Sequence, residues 1–332
     1  MNSFQGKKIL FIALKFFDYE KEIKQALMRM GAEVDFYDDR PKNTFIYKAL
    51  IRINRSILKK KIEAYYDTII NITRQKEYDY VFFLKAESIS INSLKKLRET
   101  QSQAKFILYL WDSIANKNDV KSILQYFDRV LSFDKNDVQK YSFMSFRPLF
   151  YLEDYERMRS SQKSRFDISF IGTGHSDRYA IISMIKKDCI QNDISGYFFM
   201  YMQSKIMFYY RKIVSKAYRK SKIKDFNFKS LNKKEVLEII TSSKVILDIQ
   251  HDKQSGLTMR AIEILGAQKK LITTNKEIAN YDFYHPNNIQ IIDRKNPTIS
   301  KEFIDLPFKN TEQEIYEKYA LNNWLKEIFF AT

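Results

Sequence analysis

Residues that cross-link or punctuate a chain are scarce here: 332 residues include one cysteine, three histidines, five prolines and seven glycines. A lone thiol, Cys189, excludes an internal disulfide and fits a reducing cytoplasm. Three histidines and one cysteine, none at ligand spacing, argue against a structural metal site, and no metal or other cofactor is expected. No run approaches the ~18 consecutive apolar residues of a membrane-spanning helix. A basic pair and a short apolar run open the chain, but Lys15, Asp18 and Glu20 follow without a small-residue cleavage site, so this stretch reads as a first strand and not a signal peptide. Internal repeats and low-complexity tracts are absent.

Positive charge is abundant. Lys and Arg number 57 against 40 Asp and Glu, a net charge of +17, in a chain that is 45% hydrophobic and 15% aromatic. That leaves ample material for two cores, and the length suits two domains of ordinary size. Such an excess of cations implies an anionic partner: nucleic acid, acidic lipid or a phosphorylated substrate. Cations interleave with aromatics in two segments, Lys42 to Tyr66 and Tyr197 to Phe228. Each reads either as a solvated helix or as an element lying on an anionic membrane surface.

Strand and helix patterns alternate along the chain. Lys7 to Leu14 is a buried strand; a helix that Asp18 can cap runs to Met30, with Gly31 at the C′ position, and then comes a strand over Glu33 to Tyr37. A helical segment from about Thr44 to Gln75 precedes strands at Tyr80 to Leu84, Phe106 to Leu110 and Arg129 to Phe133, separated by helices at Ile91 to Glu99 and Asp119 to Tyr126. Arg147 to Arg165 breaks the rhythm and marks a domain boundary. Strand Phe166 to Ile171, helix Asp177 to Lys187, a strand near Ile194 to Phe199 and helix Lys233 to Thr241, capped by Asn232, restart it. A strand at Ile289 to Ile292 and one helix over Thr311 to Phe330 close the pattern. This order predicts parallel sheets covered on both faces, with domains at 1–150 and 165–310 and a terminal helix at 311–332.

The richest stretch is Val245 to Asn275, VILDIQHDKQSGLTMRAIEILGAQKKLITTN. A short apolar strand leads into a polar loop from His251 to Ser255, then Gly256 and a helix with Leu257, Ala261, Ile264 and Leu265 on one face, stopped by Gly266; a second strand, Leu271 to Thr273, follows. Ligands of open parallel sheets bind where such loops leave the strands' carboxyl ends, and Gln, Ser, Gly and Thr ahead of Arg260 suit a phosphate at a helix N-terminus. In so glycine-poor a chain, Gly172-Thr173-Gly174 directly after a strand points to close backbone approach or positive φ. The dinucleotide fingerprint is incomplete, since Asp177 holds its third glycine position. Arg260 either contacts phosphate or pairs with Glu263 one turn on. His175 and His251 are either ligand donors or plain loop histidines.

Over FDISFIGTGHSDR (Phe166 to Arg178), ILDIQHDKQSGLTMRAIEILGAQKKLITTN (Ile246 to Asn275) and, more loosely, YLWDSI (Tyr109 to Ile114), the sequence resembles the GT-B glycosyltransferases. The nearest resemblance is to the CgeB-like group and the bacterial capsule and lipopolysaccharide transferases. It implies an α/β fold of two Rossmann-like domains facing across a cleft, the first acceptor-side, the second binding a nucleotide-sugar donor. Gly172, Thr173 and Gly174, with His175 and Arg178, would then lie at the diphosphate; Ser255, Gly256, Leu257 and Thr258 would bring backbone N–H groups to it, with His251 beside them. Arg260 would neutralise phosphate charge and Glu263 would accept from the ribose hydroxyls. Many relatives carry two glutamates with seven residues between them; Glu263 matches the second, while Ser255 stands at the first.

A base for the acceptor hydroxyl would come from a carboxylate at a strand end of the first half: Asp112, Glu87 or Asp134. Asp112 is preferred because Trp111 beside it offers a wall for a sugar to stack on; the plainer reading is a capping Asp. The implied protein transfers a sugar from a nucleoside diphosphate to a lipid-linked saccharide of a bacterial surface polysaccharide, on the cytoplasmic face of the membrane and without nucleic acid as partner. Two rivals are a nucleic-acid-binding protein exploiting the charge, for which no motif is present, and an inactive relative that only binds nucleotide.

Overall fold

The computed structural model describes residues 3–41, 58–116, 118–159, 164–251 and 255–331. Residues 42–57, most of the cation-rich segment from Lys42 to Tyr66 read above as a solvated or membrane-surface helix, fall outside them. The chain divides into two compact units, Met1–Leu149 with Leu321–Thr332, and Phe150–Ala320.

The first unit is built on β1 (Lys8–Ala13), β2 (Glu33–Asp38), β3 (Tyr80–Leu84), β4 (Lys105–Leu110), β5 (Arg129–Ser132) and β6 (Met144–Phe146). They form one six-stranded sheet in the order β2-β1-β3-β4-β5-β6, and each neighbouring pair runs parallel. Its helices are α1 (Tyr19–Arg29), α2 (Lys59–Thr73), α3 (Ile91–Thr100) and α4 (Lys135–Lys140). Strand residues alternate between faces. Leu10, Ile12, Val81, Phe83, Phe106 and Leu108 therefore meet Ile62, Tyr66 and Ile69 of α2 and Leu94 and Leu97 of α3. The opposite face, Phe11, Phe82 and Tyr109, is closed by the C-terminal helix, Leu321–Phe330: Trp324 sits 4.7 Å from the Tyr109 ring and Phe329 5.2 Å from Phe82. Trp324 Nε1 donates to Pro148 O at 3.0 Å.

Several expectations are corrected here. Asp18 precedes α1 in a left-handed conformation (φ 63°) with no capping bond, and its carboxylate instead pairs with Lys21 at 2.7 Å. Gly31 does take the left-handed C′ position, φ 100°. Asn118–Tyr126 winds as a 3-10 helix. The terminal segment is two helices, not one, interrupted at Tyr319 and Ala320, because Tyr319 O and Ala320 pair with Tyr151 while the residues after them cover the first sheet.

The second unit contains β7 (Phe166–Thr173), β8 (Gly196–Tyr201), β9 (Ser243–Asp248), β10 (Lys270–Thr273) and β11 (Ile289–Ile291), all parallel, in the order β11-β10-β9-β7-β8. Its helices are α5 (Glu153–Glu156), α6 (Arg178–Gln191), α7 (Lys205–Val214), α8 (Lys233–Thr241), α9 (Met259–Gly266), α10 (Lys301–Asp305) and α11 (Gln313–Lys318). Asn232 and Glu235 form a reciprocal capping box that starts α8. Ile168, Phe170, Val245, Leu247 and Ile272 pack under Ile181, Ile182 and Ile185 of α6, beside the buried thiol of Cys189, which burial pushes up to about 11.

Gly266 is the last residue of α9 and not a stop beyond it. Its carbonyl accepts from Tyr316 Oη at 2.7 Å, and a Cβ there would lie 2.5 Å from Cγ and 2.7 Å from Cβ of Tyr151. Helix propensity alone favours alanine by about 1 kcal/mol, whereas forcing a methyl against the root of a packed ring costs about 1–3 kcal/mol. Gly266→Ala is therefore expected to lower the melting temperature of the second unit; a raised or unchanged value would show that Tyr151 yields freely.

Candidate functional site

In the second sheet the winding direction reverses between β7 and β9, so the loops leaving these adjacent strands diverge and open a crevice at their carboxyl ends. Gly172 and Thr173 belong to β7 itself, paired with Met200 and Tyr201, and Gly174 N–H donates to Tyr201 O at 2.7 Å. Neither glycine is left-handed; that role in the turn falls to Ser176, φ 52°. What crowds these positions is aromatic side chains. A Cβ on Gly172 would meet the Phe170 ring at 2.6 Å, and one on Gly174 the Phe226 ring at 2.8 Å.

Residues expected after β7 and after β9 are brought together. The rings of His175 and His251 lie 5.8 Å apart, tilted by 32°, and His175 Nδ1 sits 2.9 Å from Ser176 Oγ. Burial, reinforced by Arg178, His251 and Arg211, pulls His175 down to about 3, so the imidazole is neutral. Arg178 ties the two loops: Nε donates to Ile249 O at 2.8 Å and Nη1 to Thr173 O at 3.3 Å. Its guanidinium is thus engaged with backbone on both sides of the crevice. Thr258 caps α9, its Oγ1 accepting from Ala261 N–H at 3.1 Å, and Leu257, 2% exposed, anchors the loop in the core. Asn275 Nδ2 holds Ser255 O at 3.1 Å and Gly256 O at 3.4 Å from below.

Arg260 and Glu263 pair at 2.9 Å on the first turns of α9, with side chains 18% and 4% exposed. This is not a surface pair of negligible worth: the carboxylate is enclosed and depends on its cation. Tyr155 of α5 is buried alongside, its phenol held well above the ordinary value by burial and then by the Glu263 charge. Asp248, the last residue of β9, is buried too; burial raises it against the opposing pull of Arg178, and its Oδ2 has no hydrogen-bond partner among the described residues.

Three participants escaped the sequence reading. Arg294, after β11, grips Asp177 through two bonds of 2.7 Å and also reaches Gln250 O at 3.1 Å and Thr274 Oγ1 at 3.4 Å. The pair spans 117 positions of sequence, so nothing local announced it. It also explains the aspartate at the third glycine position: the Asp177 carboxyl, held below its usual range chiefly by the Arg294 hydrogen bonds, locks the β7 turn to the loops after β9 and β10. Asp248 was legible as an acid ending an apolar run. Arg211 of α7 was hidden in a basic segment; its Nε is buried without a hydrogen-bond partner among the described residues, and its charge acts on His175.

In the first unit, Asp112 pairs with Lys85 at 2.7 Å and keeps a 36% exposed side chain. Lys85 and Ala86 leave β3 with φ of 80° and 52°. Glu87 closes an ion pair with Arg40 in which both side chains are about nine-tenths buried. Asp134 caps α4, accepting from Asn136 N–H at 2.9 Å. Trp111 is not an open stacking wall: it is 7% exposed and packed 5.4 Å from the Tyr19 ring.

Among the described residues no three His, Cys, Asp or Glu side chains gather as a metal-binding group, and no helix is long and apolar enough to cross a membrane. No family model matches the chain, and no curated protein sequence matches it significantly. Solved structures do resemble it. OtsA in its apo form gives a TM-score of 0.64 at 9% identity, over 98% of this chain and 100% of that one. A glycosyltransferase from Rickettsia africae gives 0.60 at 12% identity, over 98% and 99%. Alr3699/HepE from Anabaena, solved with UDP and glucose, gives 0.58 at 8% identity, over 98% and 100%. Two parallel sheets with helices, similar in fold to these proteins along almost their whole length, make this the GT-B glycosyltransferase fold.

Proposed function

We propose that the chain is a glycosyltransferase that draws its sugar from a nucleoside-diphosphate donor held by the second unit. The observation that carries this reading is the β7/β9 crevice, where the amino end of α9 meets Arg260, Glu263 and the paired histidines. Backbone N–H groups at a helix start favour an anion, and Alr3699/HepE, a protein of similar fold, was solved in complex with UDP and glucose. On binding, Arg260 turns from Glu263 toward phosphate, and Glu263 accepts from the ribose hydroxyls. Neutral His175 serves as a hydrogen-bond donor, not a cation. The leaving diphosphate is stabilised by the helix start and by Arg260, with no metal required.

The acceptor-side base is assigned to Asp112, the most accessible of the three strand-end carboxylates, which Lys85 holds at the strand end where it would take the acceptor hydroxyl's proton. Glu87 and Asp134 are committed to Arg40 and to a helix cap. The acceptor is a lipid-linked saccharide of a bacterial surface polysaccharide, a reading supported by the +17 charge, which suits work at an anionic membrane.

Two outcomes test the donor site. Calorimetry with UDP, ADP, GDP and CDP is expected to show saturable binding of at least one, and Glu263→Gln, which keeps the shape of the side chain, is expected to weaken it by ten-fold or more, a loss of ~1.5–3 kcal/mol for a charge-assisted bond. Unchanged affinity in the variant would remove Glu263 from the site, and no binding of any diphosphate would remove the site itself.

The second concerns acid. His175 is depressed to about 3, below the ~6.5 of an unfolded histidine, so the unfolded chain takes the proton first as pH falls. Its stabilising contribution is complete above ~6.5 and is lost on the way down to about 3. His175→Asn should therefore lose less melting temperature than the wild type between about pH 7 and about pH 5. Equal losses would mean that the ring is not held neutral.

A further inference from the structure

Helix α7 carries an apolar ridge on its outer side. Ile206, Tyr209, Tyr210 and Ile213 follow the i, i+3, i+4, i+7 spacing of one helix face and are 82%, 56%, 59% and 78% exposed, with Val214 at 59% beside them. Single exposed apolar residues are ordinary; five clustered on ten residues of one helix are not. The helix itself is firmly seated. Ser204 Oγ caps it, accepting from Met207 N–H at 3.1 Å, and Phe208 is buried on the inner side together with Arg211 Nε. The ridge is therefore the outer face of an ordered element and not a frayed end.

Charge identifies what covers it. From Lys205 to Lys229 the chain has nine Lys or Arg and one acid, Asp225, which is itself engaged with Tyr179 Oη at 2.8 Å. A second copy of this chain would bring the same cations against themselves. Ile206, Ile213 and Val214 have nothing to gain from nucleic acid, whose contacts are ionic, polar and stacked. Aliphatic residues flanked by tyrosines and ringed by cations match the headgroup boundary of an anionic bilayer, where apolar side chains sink below the headgroups, tyrosines sit at their level and lysines meet the phosphates.

We propose that α7 docks the second unit on an anionic lipid surface through Ile206, Tyr209, Tyr210 and Ile213. This deepens the membrane reading made above and rests on it, but it moves the contact to the donor-binding unit. Helix α7 leaves β8 at the carboxyl edge of the sheet, the edge that carries the β7/β9 crevice, and its inner side lays Arg211 over the Tyr218 ring at 5.7 Å. Docking along that edge brings the donor site to the bilayer surface, where a lipid-carried acceptor resides.

The test is flotation of the full chain with vesicles of phosphatidylcholine, alone and mixed with phosphatidylglycerol. Wild type is expected to float with the mixed vesicles and not with phosphatidylcholine alone. I206S/I213S, which changes two exposed residues, is expected to cut that partitioning by roughly tenfold or more, with an unchanged melting temperature and unchanged binding of nucleoside diphosphate. Lys216→Glu with Lys220→Glu should abolish the dependence on phosphatidylglycerol. If wild type floats and I206S/I213S floats equally, α7 is not the docking face although the membrane reading survives; Lys59, Lys60 and Lys61 changed to Glu then test the other segment. If wild type floats with neither vesicle, both readings fall. Single-stranded RNA binding that is lost in I206S/I213S while flotation persists would assign the ridge to nucleic acid and overturn the proposal.

Discussion

Parallel strands place all their carboxyl ends on one edge of a sheet, and the rest of the second unit follows from where its winding direction changes. With the order β11-β10-β9-β7-β8, the chain builds outward from β7 to one side and from β9 to the other. Loops at that junction cannot cover one another, so a crevice is a topological necessity. The sequence then has to line it without leaving buried charge uncompensated. Arg178 and Arg294 do much of this, bridging the carbonyls of Ile249, Thr173 and Gln250 and the carboxylate of Asp177. Both cations fasten loop to loop, so the crevice walls are set before any ligand arrives, which limits the ordering cost of binding.

Within that frame the charges divide into those spent on architecture and those still available. Arg178, Arg294, Asp177, Asp134 and the Arg40–Glu87 pair belong to the first group. Removing one member of an enclosed pair leaves the other stranded, which costs more than the pair contributes. Arg260 and Glu263 form an enclosed pair as well, but Arg260 retains exposure at the mouth of α9 and has only to rotate to meet an anion. The Lys85–Asp112 pair is more solvated than the Arg40–Glu87 pair, and the base role proposed for Asp112 depends on that accessibility.

Much of this was readable from the chain because it is local. The β9-loop-α9-β10 unit has its boundaries written in an apolar run, a Gly-containing loop and helical spacing, and the Asn232–Glu235 capping box lies within one turn. What was not readable depends on residues far apart. The crowding at Gly174 comes from the ring of Phe226, distant in sequence, and not from φ. Trp111 looks available beside Asp112 until Tyr19 is folded against it. A single terminal helix fits the periodicity from Thr311 onward, yet Tyr316 and Tyr319 are claimed by the second unit and Trp324 and Phe329 by the first, so the chain must break between them. The Arg294–Asp177 clamp left no trace in spacing or composition.

The central claim is that a nucleoside diphosphate occupies the β7/β9 crevice. Hydrogen exchange of the intact chain, with and without the diphosphate that binds best, addresses location directly and independently of any substitution. The account predicts added protection at Gly174 to Arg178 and at Ser255 to Glu263, the turn after β7 and the start of α9. Protection confined to other segments, or none in either of these, would contradict it.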